Sequence, residues 1–330
     1  MLETAIISSL KVIIVIVAVL TGCAWATYLE RKVLAYLQHR IGPSYAGPYG
    51  LLQPVADAIK MAFKEDVVPD RVERLTYSLA PILAFVPSLL SFAVVPFSAD
   101  FSLAGREITG VISDLNIGIV FIFAITSLGV YGICLAGWSS GSKYSLMGGL
   151  RSSAQMISYE ISYGLSIIGV ILIANTLSMR ELVEKQATVA DWFIWKQPLG
   201  FLLYLTCAIA ETNRAPFDLP EAESELVGGY HTEYSSFRFG MFFVGEYANM
   251  IAVSSVATTL FLGGWQGPWL PAGLSFLWFF IKVFFMMFFY IWLRGTFPRF
   301  RYDQLMSFGW KVLFPLAIVN ILITALVVLW

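Results

Sequence analysis

The residues best able to do chemistry lie in one short stretch, Glu211–Tyr234, which reads ETNRAPFDLPEAESELVGGYHTEY. It contains Glu211, Asp218, Glu221, Glu223, Glu225 and Glu233. The stretch joins two apolar segments, so its acids stand at the edge of a region where charge is costly. Carboxylates held there mark, by default, a route for protons or ions. Two more acids, Glu160 and Glu246, fall inside apolar segments. Each is about six residues from the inner end of its segment, roughly 9 Å deep at 1.5 Å per residue, with Glu211 above them. Crowding and desolvation tune such acids toward proton exchange near neutral pH. The plainer reading pairs each acid with an arginine that holds loops together, and it has most force for Glu211 at the interface.

These side chains need a scaffold, and composition says which kind. Of 330 residues, 58% are hydrophobic and 13% charged, against about 25% charged in a soluble domain. Mean hydropathy is +0.74. Apolar windows cover 5–28, 75–97, 115–137, 154–174, 198–211, 240–263, 274–293 and 309–329, to be set against the ~20 residues that cross ~30 Å of hydrocarbon. Only 198–211 is short. The expected fold class is all-α: a polytopic membrane protein of about eight transmembrane helices in one integral domain, 1–330. Fifteen of the 21 basic residues follow the first, third, fifth and seventh windows, around 29–74, 138–153, 212–239 and 294–308, counting Lys311 just past the last of these. That bias predicts cytoplasmic (or matrix) loops there and both termini on the outer side.

Pro54 opens a further pattern. Val55, Ala58, Ile59, Ala62 and Phe63 recur at helical spacing, while Asp57, Lys60 and Lys64 fall mainly on another face. Too short to span, this segment predicts an amphipathic helix lying at the interface. On the outer side, 178–192 suggests a short surface helix. Arg31, Arg40, Asp57, Lys60, Arg151, Arg214, Arg294 and Arg299 populate the inner loops beside Tyr36, Phe63, Phe217 and Phe297. An amphipathic helix, a charged crevice and an apolar interior together suit a lipid-soluble molecule with a polar head. Lys282, deep in the seventh window, either extends a proton path or pairs silently.

Several functions are disfavoured. Cys23, Cys134 and Cys207 are far apart, and His39 and His231 lie in loops, so no metal, iron–sulfur or haem site is expected. Gly137–Lys143 lacks the phosphate-loop spacing and no dinucleotide fingerprint occurs. Nothing points to nucleic acid. Leu20–Cys23 imitates a lipoprotein cleavage site without a basic leader, so an uncleaved first span is expected.

Taken in order, ERKVLAYLQHRIGP, GLLQPVADAIKMAFKED, LAGWSSGSKYSLMGGLRSSAQMISYE, ETNRAPFDLPEAESELVGGYHTEYS, FFVGEY and RYDQLMSFGWK resemble the family of membrane H subunits of bacterial NADH–quinone oxidoreductase. This is respiratory complex I, whose mitochondrial counterpart is called subunit 1. The likeness covers nearly the whole chain. It implies a multi-pass subunit of the bacterial inner membrane that forms a quinone tunnel with peripheral-arm subunits and couples quinone reduction to proton translocation. FMN and iron–sulfur clusters would sit in partner subunits, leaving this chain without a bound cofactor or catalytic residue of its own. Quinone would be the substrate, and other complex I subunits and membrane lipid the partners. The resemblance implies a tunnel bordered by Arg31, Arg40, Asp57, Lys60, Phe63, Arg214 and Phe217. It implies a quinone-responsive loop with Glu211, Asp218, Glu221, Glu223 and Glu225, and a proton route starting at Glu160 and Glu246. The alternatives are the related anchor of an energy-converting hydrogenase-type complex and a stand-alone proton-coupled transporter. No pair of matched broken-helix repeats favours the transporter.

Overall fold

The computed structural model of the chain describes residues 2–103, 106–218, 227–269 and 271–330. It opens with α1 (Leu2–Leu37), α2 (Gln53–Phe63) and α3 (Arg74–Leu90). A short hairpin follows, β1 (Phe101–Leu103) and β2 (Arg106–Ile108), antiparallel with Phe101 opposite Ile108. Then come α4 (Gly118–Ser139), α5 (Lys143–Ala174), α6 (Met179–Glu184), α7 (Phe193–Lys196) and α8 (Pro198–Glu211). The last part holds α9 (Ser236–Phe261), α10 (Phe276–Thr296), α11 (Tyr302–Phe308) and α12 (Phe314–Leu329). A π turn at Gly309–Leu313 makes α11 and α12 one continuous segment.

Seven helical segments among the described residues are long and apolar enough to cross a membrane. An eighth arises if Val189–Lys196 and Pro198–Glu211, which meet at 71°, form one broken span. The break has a local cause. Pro198 has no N–H to continue a helix, and Gln197 before it is non-helical at φ −134°, ψ 56°. The molecule is therefore an all-α polytopic membrane protein, and the short window is the one that breaks.

Three helices outrun their apolar windows. α1 continues through Leu37, α5 starts at Lys143, and the last segment starts at Tyr302. Hydropathy falls where charge or serine appears, but helical hydrogen bonds are local and carry on past it. In α5 two of the serines satisfy themselves within the helix: Ser153 and Ser158 donate to the carbonyls of Gly149 and Ala154 at 2.6 and 2.7 Å. Their small size also draws helices together. A Cβ on Gly137 of α4 would stand 2.9 Å from Gly149 Cα, and one on Gly148 would stand 2.7 Å from Gly229 Cα. Small residues thus let α5 touch α4 and the 229–231 turn by backbone.

The central packing joins α3 to α4 and α9, and α5 to α4, α8 and α12. By contrast α1 is peripheral, its apolar stretch only 11% covered by the rest of the chain. The amphipathic α2 appears where the periodicity predicts it. Val55, Ile59 and Phe63 remain uncovered, as an interfacial helix requires. Ser178 caps α6 by accepting from the Glu181 N–H.

Candidate functional site

The site forms where α8 ends. Glu211 is the last residue of α8, after which the chain turns through Asn213, at φ 51°. Gln155 of α5 staples this turn by donating to the carbonyls of Ala210 and Phe217 at 2.9 and 2.8 Å. The result places Glu211 and Glu246 on the wall of one narrow cavity, beside Thr126, Asn213 and Asn249. Its volume of about 60 Å³ has room for water, which needs on the order of 10–15 Å³. Glu160 stands next to it. Its carboxylate accepts from Ser127 of α4 and lies close enough to Glu211 for the two to repel. Glu211 is buried, and its Oε2 has no hydrogen-bond partner among the described residues. The three acids on neighbouring helices thus gather as the sequence predicts.

Beside them lies a buried network of charges. Arg214 Nη1 is 2.9 Å from Glu30 Oε1, and its Nε makes an ion pair with Glu246. Glu30 also meets Arg294 and accepts from the Tyr247 hydroxyl at 2.6 Å. The Arg214 guanidinium lies 4.4 Å from the centre of the Tyr247 ring. Burial alone would weaken the hold of Arg214 on its proton; Glu246, Tyr247 and Glu30 reverse that and place its pKa well above the ordinary arginine value. Two carboxylates and two guanidiniums therefore tie α1, α9, α10 and the turn after α8 together. Glu246 belongs both to this network and to the cavity wall.

The rest of that loop is anchored nearby. Asp218 pairs with Arg299 at 3.3 Å. Phe217 is buried between Tyr159 and Phe300, at ring separations of 5.7 and 5.6 Å, and so serves as packing. Burial pushes the His231 imidazole down to about 4, with Asp218 opposing the shift. Glu221, Glu223 and Glu225 lie outside the described residues.

Other predicted residues fall elsewhere. Arg31 pairs with Asp57 at 2.7 Å, and Gln53 donates to the same carboxylate at 2.9 Å, joining α1 to α2. Lys60 and Phe63 are exposed toward the end of α2, which is clipped to α9 where Ser236 donates to the carbonyls of Met61 and Lys64. Arg40 contacts Gln38 at 2.7 Å and lines a surface recess with Phe288 and Trp292 of α10, in which α2 has no part.

Glu30, Tyr247 and the pairing of Arg294 are additions that the sequence reading did not make. Glu30 had a signal. Val19, Cys23, Ala26 and Glu30 recur at spacings of four, three and four, which is one helical face, and all four are buried.

Fold and site together define a class: a multi-pass α-helical membrane protein with an acid cluster and a buried charge network near one end of its bundle. A family model described as NADH dehydrogenase matches residues 10–325. Similar proteins include H subunit 1 of the NADH-quinone oxidoreductase of Geobacter sulfurreducens, 52% identical, with 96% of this chain and 94% of that protein aligned. The H subunit of the Protochlamydia amoebophila enzyme is 54% identical over 92% of each chain. That of Syntrophotalea carbinolica is 51% identical over 100% of this chain and 98% of its own. The chain belongs to the NADH dehydrogenase family that these H subunits represent.

Proposed function

We propose that this chain is the membrane subunit of a proton-pumping NADH:quinone oxidoreductase, bordering the quinone tunnel with peripheral-arm subunits and passing the energy of quinone reduction to a proton path. The observation that carries the reading is the position of Glu246, which shares a water-sized cavity with Glu211 and an ion pair with Arg214. A charge arriving near the 212–218 turn competes for Arg214. Any weakening of the Arg214–Glu246 pair changes the proton affinity of Glu246, and Glu211 and Glu160 stand next in line to exchange that proton. Arg31, Asp57, Lys60 and Phe63 would frame quinone access along α2. The bias of basic residues toward alternate loops supports a bacterial inner-membrane subunit with its acid cluster on the inner side and both termini outside. FMN and iron–sulfur clusters belong to partner subunits in this reading.

The test uses the intact complex. Glu160→Gln and Glu211→Gln should each lower quinone reduction and proton pumping on the order of tenfold or more, while the flavin arm still reduces ferricyanide. Wild-type pumping in an assembled variant would defeat the proposal.

A further inference from the structure

A long apolar groove runs between α1 and α10, on a floor that includes Ile251 of α9. Its volume of about 480 Å³ falls within the roughly 300–1,000 Å³ typical of small-molecule sites. Along α1 it extends from Ile14 to Val33, about 28 Å of helix, nearly the ~30 Å of a hydrocarbon core. Toward the basic end of α1 it meets a second recess of about 780 Å³, lined by Lys32, Tyr36, Arg40 and Trp292. Val33 and Phe288 line both spaces, so the apolar slot and the cationic mouth are continuous.

Two charges at this mouth hold no carboxylate among the described residues. Arg31, Arg214, Arg294 and Arg299 each hold a carboxylate. Among the described residues Lys32 and Arg40 hold none; Arg40 meets the neutral Gln38, and the Lys32 ammonium lies 5.9 Å from the centre of the Tyr28 ring. Two free cations above an apolar slot, flanked by Tyr36 and Trp292, complement a phosphate above an acyl chain.

We propose that this groove binds an anionic phospholipid, its phosphate held by Lys32 and Arg40 and one acyl chain lying along α1 between Val33 and Trp25. That length of helix, about 12 Å, matches most of one leaflet's half of the ~30 Å core. A neutral quinone head has no use for two cations, and the groove shares no residue with the Glu211–Glu246 cavity. The occupant would bridge the two helices that supply Glu30 and Arg294, and so would support the buried network from its lipid side. The proposal does not depend on the quinone reading.

The experiment labels the wild-type complex in its membrane with phosphatidylglycerol carrying a photoactivatable tail, against phosphatidylcholine with the same tail. Peptide mapping should find adducts on Trp25, Leu29, Phe284 and Met287, on the order of tenfold more from the anionic lipid. Unlabelled phosphatidylglycerol should displace them and excess quinone should not. Combined Lys32→Gln and Arg40→Gln should abolish the preference between lipids, and Leu29→Trp should reduce adducts from both. Absence of groove adducts, equal labelling by both lipids, or displacement by quinone would overturn the proposal. So would a photoreactive residue at Phe284 that cross-links to another subunit, because a protein chain would then cover the groove.

Discussion

Arg214→Met tests the buried network most directly. The side chains of Arg214, Glu30 and Glu246 are 7%, 4% and 16% exposed, so water does little to screen them. The wild-type network balances two carboxylates with Arg214 and Arg294. Without Arg214, Glu246 loses this ion pair, while Glu30 keeps Arg294, which is 33% exposed. The 2.9 Å contact to Glu30 is worth about 6 kcal/mol of gross attraction at an effective dielectric of about 20. Desolvation takes back part of this, and deleting one partner of a buried pair costs about 3–5 kcal/mol. Glu246 loses its ion pair with a buried guanidinium, while Glu30 keeps Arg294 and Tyr247. Adding Glu246→Gln to Arg214→Met should therefore restore about 1–3 kcal/mol. The assay is the thermal midpoint of this subunit in the solubilised complex for wild type, both single variants and the double variant. A neutral Arg214→Met, or a double variant as unstable as the sum of the singles, would refute the reasoning.

Two further predictions concern other buried polar groups. The unfolded His231 imidazole takes up a proton near pH 6.5, while the folded one waits until about 4. The unfolded state binds more protons between those values, so the stability due to neutral His231 is complete above pH 6.5 and is lost as pH falls toward 4, by at most about 3 kcal/mol. Protection of residues 228–235, corrected for the intrinsic pH dependence of amide exchange, should fall as pH drops through that window in wild type and stay flat in His231→Gln; identical pH profiles would contradict the assignment. Lys282 donates to the carbonyls of Leu262, Gly264 and Gln266 at 2.6, 2.9 and 2.6 Å, and its ammonium lies 4.3 Å from the Trp192 ring centre. It acts as a clamp on the C-terminal end of α9. Lys282→Met should cost about 1–3 kcal/mol for each carbonyl left buried and unmatched and loosen exchange at 262–266; unchanged protection there would remove the clamp.

Much of this molecule can be read from its residues in order. Among the described residues, apolar windows found each of the seven helical segments long and apolar enough to cross a membrane, the 3.6-residue period found α2, and the short window 198–211 falls on the broken helix. Acids stranded in apolar sequence pointed to Glu160 and Glu246, because charge in such a place needs a reason. Helix ends were misjudged at Glu30 and at Lys143–Ser153 because hydropathy stops at the first polar residues, whereas backbone hydrogen bonding does not. Only the tertiary structure decided the partners. Glu30, Arg214, Glu246 and Arg294 meet across separations of up to 264 residues, and nothing in composition or period says which base each acid selects. Packing of α1, α9 and α10 makes that choice. The same packing leaves Arg31 facing Asp57 while Arg40 lines the recess beside α10, although both lie in one basic stretch of sequence. Local order set the helices; contact between distant helices set the chemistry.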